Sequence, residues 1–169
     1  MEKGRGLSST ANKKVFVTRF ERESVHGYVQ MPEGFSTHKL NLLSPAGTLS
    51  EIPYTEIKVV SFVRDFDAGE TWRTHRSFAS RPKTPGLWMR FSFRDGDITE
   101  AILPNNLALL DSTGFFVIPP DPSYQNQRLF LPREALSEAR VLGVVGGRPL
   151  PKRKDKQQKP GEEQLEMFS

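Results

Sequence analysis

The chain has 169 residues, 36% of them hydrophobic and 10% aromatic, so it is long enough for one ordinary domain or two very small ones. It has no cysteine, which excludes disulfides, cysteine-ligated zinc and thiol nucleophiles and suits a reducing compartment. Residues 1–14 lack the apolar run of a signal peptide, and no segment reaches the roughly 20 apolar residues of a membrane helix. We therefore expect a cytoplasmic protein without membrane contact.

The positive charge of the chain is unevenly placed. The formal net charge is +4 and the sequence pI is about 9.5. Residues 14–145 are nearly neutral, so the high pI does not by itself predict a nucleic-acid groove there. The excess is concentrated between residues 148 and 159, where Asp155 is the single acidic residue and the basic residues are Arg148, Lys152, Arg153, Lys154, Lys156 and Lys159.

The first half of the chain predicts a series of short strands after a disordered N-terminus at residues 1–13. Residues 14–20 alternate apolar and polar side chains with the period of a half-buried strand. A polar turn, a returning strand at 25–31 and a third strand at 39–43 follow. The half ends with Pro53 and a turn that leads into a strongly apolar strand at 59–63.

The second half predicts the same series again. Residues 87–93 alternate in the same way, and Asp95-Gly96 is a strong hairpin signal because glycine adopts the positive φ that a tight turn needs. Further strands are expected at 98–103, 115–118 and 139–142, the last after a turn that begins at Pro132.

These two series predict an all-β protein made of an internal repeat. About five short strands in some 50 residues fit a small SH3-like or Sm-like barrel, and closure removes unpaired sheet edges. We therefore predict two tandem barrels, at residues 14–66 and 87–145, with a connecting segment at 67–86 and a flexible basic tail at 146–169. One larger mixed β domain without true duplication is the alternative.

The connecting segment mixes aromatic and basic side chains. Small barrels often bind nucleic acid by stacking bases on aromatic rings beside cations, so the segment is a candidate nucleic-acid or nucleotide site. A purely structural role in joining the two halves is the alternative. The candidate residues are Trp72, Arg73, Arg76, Arg81 and Lys83, with Lys152, Arg153 and Lys154 of the tail as further DNA contacts.

The sequence contains no recognisable catalytic or metal-binding pattern. His26, His38 and His75 are scattered without metal-ligand spacing, and Asp65, Asp67 and Glu70 are not as dense as a calcium loop. We therefore expect no cofactor, no metal and no enzymatic activity; an undetected hydrolase would need a cluster formed only in the fold.

Three stretches of the chain resemble an uncharacterised bacterial family, a domain of unknown function. They are residues 57–67, residues 91–97 and residues 114–130, the last following a pattern Gly-Phe-Phe, Pro, Asp-Pro, Asn, Arg and Phe. The resemblance covers roughly residues 14–143. The resemblance implies a bacterial, non-enzymatic domain and gives no indication of a ligand.

The end of the chain carries a second resemblance. Gln164-Leu165-Glu166-Met167-Phe168 is similar to the pentapeptide that binds the bacterial DNA polymerase III sliding clamp, with Met167 where leucine is usual. This resemblance implies that Leu165, Met167 and Phe168 fill apolar pockets while Gln164 hydrogen-bonds at the rim. We therefore expect an adaptor protein at replication or repair sites. Folding back of the tail onto the body, or another partner, is the alternative.

Overall fold

The structure is a computed structural model that describes residues 11–67, 75–105, 110–111, 113–120 and 126–147. In these ranges the protein is all-β, as predicted, and no helix there is long and apolar enough to cross a membrane. Residues 1–10 of the predicted disordered N-terminus, residues 68–74 of the connecting segment and the tail from residue 148 onward lie outside the described residues. The prediction of disorder is wrong for Asn12 and Lys13, which belong to the first strand.

Four of the five strands of the first half lie where the sequence predicts them, and the strand at Leu49–Pro53 was not predicted. A 3₁₀ turn at Tyr54–Glu56 separates the fourth strand from the fifth. The strands are β1 (Asn12–Arg19), β2 (Val25–Gln30), β3 (Lys39–Leu43), β4 (Leu49–Pro53) and β5 (Ile57–Val63).

The second half begins with a two-residue strand in the connecting segment and then repeats the pattern. A second 3₁₀ turn at Arg133–Ala135 precedes the last strand, and Gly96 has φ 94° in the predicted hairpin turn. The strands are β6 (His75–Arg76), β7 (Gly86–Phe93), β8 (Ile98–Leu103), β9 (Leu110–Asp111), β10 (Gly114–Val117), β11 (Asn126–Pro132) and β12 (Leu136–Val145).

The described strands form two sheets. The larger has the order β4-β3-β2-β1-β5-β11-β10-β9, and the smaller has the order β12-β7-β8-β6. Without the two-residue strands β6 and β9 the sheets have seven and three strands, all paired antiparallel. A bridge between Ile102, in β8, and Ile118, just after β10, connects the smaller sheet to the larger one.

Both halves of the chain therefore use one strand order. The first half runs β4-β3-β2-β1-β5, and the second runs β11-β10-β8-β7-β12 when the bridge is included. The pairs β1–β5 and β7–β12 also share a register shift at the same place, because Lys58 and Ser137 are each skipped. A bulge at one defined position fixes the register in each half.

The prediction of closed SH3-like barrels is not confirmed, because no closed sheet forms among the described strands. Strand β5 instead pairs with β1 on one edge and with β11 on the other, so the two halves share the larger sheet. The matching strand β12 has polar residues, Glu138 and Arg140, where β5 has Val59 and Ser61. Charged side chains on an edge strand oppose further pairing, so β12 pairs with β7 alone in the described part of the chain.

The interior contains two apolar clusters that extend across the boundary between the halves. The first is built on Val15, Val17 and Ile57 but includes Phe116 and Phe130 of the second half. The second is built from the second half, on residues such as Phe91 and Leu131, but includes Val59 of the first. Each half therefore buries apolar surface contributed by the other.

Candidate anion-binding cleft

Most of the residues that the sequence singled out lie outside the described residues. They include all of the predicted clamp-binding residues and most of the predicted nucleic-acid contacts. These residues are Gln164, Leu165, Glu166, Met167, Phe168, Trp72, Arg73, Lys152, Arg153 and Lys154. Their roles remain predictions.

The structure places Arg76, Arg81 and Lys83 along the smaller sheet rather than around one groove. Arg76 belongs to β6, which pairs with the beginning of β8. The Arg81 guanidinium donates a hydrogen bond of 2.9 Å to the backbone carbonyl of Val144, at the other end of the sheet, and the exposed Lys83 lies near the end of β12. The three cations are therefore not brought together.

The aromatic and polar groups near this segment are used in packing. The buried Glu100 carboxylate accepts hydrogen bonds from the Phe78 backbone N–H at 3.0 Å and from the Trp88 indole N–H at 3.1 Å. It also accepts one of 3.3 Å from the Arg90 guanidinium. Because these contacts fasten the segment to β7 and β8, they favour its structural role over nucleic-acid contact.

A different group of cations does converge on a single depression of the surface. It is a cleft of about 520 Å³ where β1, β5 and β11 meet, and we call it the basic cleft. Its cationic lining comes from both halves of the chain, and its described lining residues include no acidic side chain. The lining residues are Lys13, Lys14, Phe62, Val63, Arg64, Ile118 and Arg128.

The register of β5 explains why these residues meet. On one edge of β5, Phe62 is paired with Val15, which places Lys13 and Lys14 beside the end of the strand. On the other edge Phe62 is paired with Arg128, after a register shift in β11. The cations thus converge at the junction of the two halves, over an apolar floor.

Four cations on one concave surface define a site for an anion. Lysine offers a compact ammonium group, and arginine offers a planar fork that binds two phosphate or carboxylate oxygens at once. Like charges around a low-dielectric wall also raise the local concentration of anions. The arrangement is suited to bind phosphate groups.

Sequence reasoning missed these four residues. Lys13, Lys14, Arg64 and Arg128 each stand at the beginning or end of an apolar strand run, where a single cation is unremarkable. A signal was present, because Arg64 and Arg128 lie within two of the stretches that resemble a known family. Their convergence, however, depends on the β5–β11 pairing, which joins distant parts of the chain.

A second charged cluster lies at the other end of the junction, and its charges are paired with one another. The buried Lys58 ammonium donates to Asp95 at 2.6 Å and also to Asp97. It lies 5.3 Å from the centre of the Phe93 ring. Since every charge faces a partner, this cluster serves stability rather than chemistry. Elsewhere among the described residues, no group of three histidines or carboxylates is close enough to hold a metal ion.

The contacts in this cluster lower the pKa of Asp95. The free energy of unfolding should therefore depend on pH. Partial burial alone would raise the pKa, but hydrogen bonds from Lys58 and from backbone N–H groups, with the Lys58 charge, lower it more. The stabilisation is therefore complete above the ordinary aspartate pKa of about 3.9 and is lost as the pH falls below it. Because Asp95 is 39% exposed, the effect should stay below about 1 kcal/mol.

Acid titration of stability checks this expectation. The free energy of unfolding of the native protein and of Asp95→Asn is measured in urea from pH 6 to pH 2.5. The native protein should be the more stable at pH 6, and the difference should shrink toward zero at pH 2.5. A difference that is constant over this range would show that the Asp95 charge has no stabilising role.

Comparison with known protein families identifies a family that covers most of the chain. A family of unknown function, DUF6982, matches residues 11–143. The chain belongs to this family. No curated protein and no solved structure matches the chain. The DUF6982 region contains every described residue that lines the basic cleft, whereas the predicted clamp-binding peptide lies beyond its end.

Proposed function

We propose that the DUF6982 region is a non-enzymatic module that binds the phosphate groups of nucleic acid. The observation that carries this proposal is the convergence of Lys13, Lys14, Arg64 and Arg128 on one cleft. The nucleic-acid function is the one that the basic and aromatic segment suggested from sequence. The hydrogen bonds of Arg81 and Glu100 favour a structural role for that segment, so we propose the basic cleft as the site of phosphate contact instead.

Binding through the basic cleft should be strongly salt-dependent. Each phosphate contact releases counterions, so four contacts to a single strand give a slope of about −3 in a plot of log K against log salt. A ligand held mainly by apolar contacts would show a slope near zero. The slope therefore reports how many cations take part.

Removing charge from the basic cleft should abolish most of this binding. We expect the triple variant Lys14→Gln/Arg64→Gln/Arg128→Gln to bind a fluorescein-labelled 20-nucleotide strand at least about 10-fold more weakly at 50 mM salt. The slope of log K against log salt should change from about −3 to about −1. Fluorescence anisotropy from 25 to 300 mM salt measures both quantities.

A matched variant separates the cleft from net charge. Lys39→Gln/Arg22→Gln/Arg140→Gln removes the same charge from exposed side chains that lie outside the cleft. It should weaken binding by no more than about 3-fold, because it removes only long-range attraction. Equal weakening by the two triple variants would show that the basic cleft is not the binding site.

The tail supports a second function. Gln164-Leu165-Glu166-Met167-Phe168 matches the sliding-clamp pentapeptide at all but one position, so docking on the clamp would bring the DUF6982 region to DNA at replication or repair sites. A flexible peptide loses conformational entropy when it becomes ordered on binding, which weakens the binding. The dissociation constant of the tail alone should therefore be on the order of micromolar.

Clamp docking is tested with purified components. Full-length protein, a version that ends at Gly161 and the variant Phe168→Ala are each titrated with sliding clamp by calorimetry. Only the full-length native protein should bind at micromolar concentration. Binding that survives either change, or no binding at 100 μM of any protein, would remove the clamp function and leave the basic cleft unaffected.

A further inference from the structure

The outer face of the β1–β2 hairpin carries aromatic side chains where a solvated sheet face is normally polar. The inner face buries Val15, Val17 and Val29 in the first apolar cluster. The register of β1 with β2 places Lys14 opposite Tyr28 and Phe16 opposite His26, so these four side chains share the outer face. His26 is exposed, Tyr28 and Lys14 are half-buried, and Phe16 is buried.

One further ring, Phe66, completes this surface from the segment that follows β5. Its ring centre lies 4.8 Å from that of His26, 5.4 Å from that of Tyr28 and 6.0 Å from that of Phe16. Phe66 is itself half-buried, so part of the ring remains open to solvent. We call Phe16, His26, Tyr28 and Phe66 the aromatic face.

The aromatic face is continuous with the basic cleft. The Lys14 ammonium lies 5.6 Å from the centre of the Phe66 ring, and Lys14 also lines the cleft. Arg64, another lining residue, precedes Phe66 by only two positions. The cations of the cleft and the rings of the aromatic face therefore adjoin each other at Lys14 and Phe66.

We propose that this surface selects single-stranded nucleic acid, with phosphates in the basic cleft and unpaired bases stacked on the aromatic face. The proposal rests on the function proposed above and adds the class of nucleic acid. Every base has a π face, so stacking on Phe66, Tyr28 or His26 is possible for any sequence. In a duplex the bases are already stacked on each other, so they are not available to stack on the rings of the aromatic face.

The test compares three fluorescein-labelled probes of equal length: a 20-nucleotide DNA strand, an RNA strand of the same sequence and the 20-base-pair DNA duplex. The native protein should bind at least one single strand about 10-fold more tightly than the duplex at 100 mM salt. The DNA and RNA arms show which backbone it prefers. Equal affinity for both single strands and the duplex would overturn the proposal.

Loss of one ring should remove this preference without removing charge. Phe66→Leu keeps apolar bulk but loses the π face, so it should weaken single-strand binding about 5- to 10-fold and leave duplex binding unchanged. Phe115→Leu is the matched control, because Phe115 is a half-buried ring beside Arg133 in the other half of the chain. Tyr28→Leu provides the same test if Phe66→Leu unfolds.

The two proposals fail in different ways. If the triple cleft variant loses binding but Phe66→Leu and Tyr28→Leu bind single strands like the native protein, the aromatic face has no role and the cleft function stands. If heparin, a polyanion without bases, binds as tightly as the single strands, base stacking is likewise excluded. If the triple cleft variant binds normally, the cleft function itself fails.

Discussion

Replacing Phe130 with alanine is expected to lower the free energy of unfolding by about 3–5 kcal/mol, because the change removes a fully buried ring and leaves a cavity. Phe130 belongs to β11 but packs in the first apolar cluster, with ring centres 4.8 Å from those of Phe35 and Phe116 and 5.7 Å from that of Tyr54. Urea unfolding followed by circular dichroism measures the loss.

The same variant also shows whether the two halves of the chain unfold together. Phe130 is paired with Val60 of β5, so the ring lies where the strands of one half meet those of the other. If the sheet that β5 shares with β1 and β11 couples the halves, Phe130→Ala should shift a single transition to lower urea without splitting it.

The half-buried ring of the neighbouring strand provides the control. Phe115→Ala removes the same number of atoms from a partly exposed site, so we expect a loss of about 1 kcal/mol. A Phe130→Ala variant that loses no more stability than Phe115→Ala would show that the junction between the halves contributes little to the fold.

The alternation of apolar residues was sufficient to locate most strands. Strands β3 and β8 begin and end at the predicted residues, and the Asp95-Gly96 turn joins β7 to β8. These features are local, since each depends on side chains a few residues apart. They identify an all-β chain and the order of its strands along the sequence.

The pairing between the two halves could not be predicted from the local pattern of apolar residues. A closed barrel in each half and a sheet shared by both halves use the same strands, and only long-range packing decides between them. One hint was available, because residues 57–63 are nearly continuous in apolar character, as expected of a central strand that is covered on both faces. The matching residues of β12 include Ser137, Glu138 and Arg140 and are mostly exposed, as expected of an edge strand.

The candidate site could not be predicted for the same reason. Lys14 and Arg128 are far apart in the sequence and meet only because both strands flank β5. The segment 72–83 looked more suitable, since its cations and rings are close together in sequence. In the fold, Arg81 and Phe78 are instead used in fastening that segment to the smaller sheet.

Replacing Lys58 with methionine is the second change expected to have a large effect. Methionine fills similar space but leaves Asp95 and Asp97 without the cation that they share. Removing one partner of a buried ion pair costs roughly 3–5 kcal/mol, and we expect about 2 kcal/mol here because the carboxylates are partly exposed. Urea unfolding at pH 7 measures the loss.

A double-mutant cycle distinguishes charge from packing at this site. Asp95→Asn should destabilise the native protein at pH 7, because it removes a charge that faces Lys58, which is only 7% exposed. In the Lys58→Met background the same change should be neutral or stabilising, since it relieves repulsion from Asp97. Equal effects in the two backgrounds would mean that Lys58 acts through its packing against the Phe20 and Phe93 rings. The bulge at Lys58 would then be maintained by those rings, and the carboxylates of the hairpin turn would be incidental to the junction.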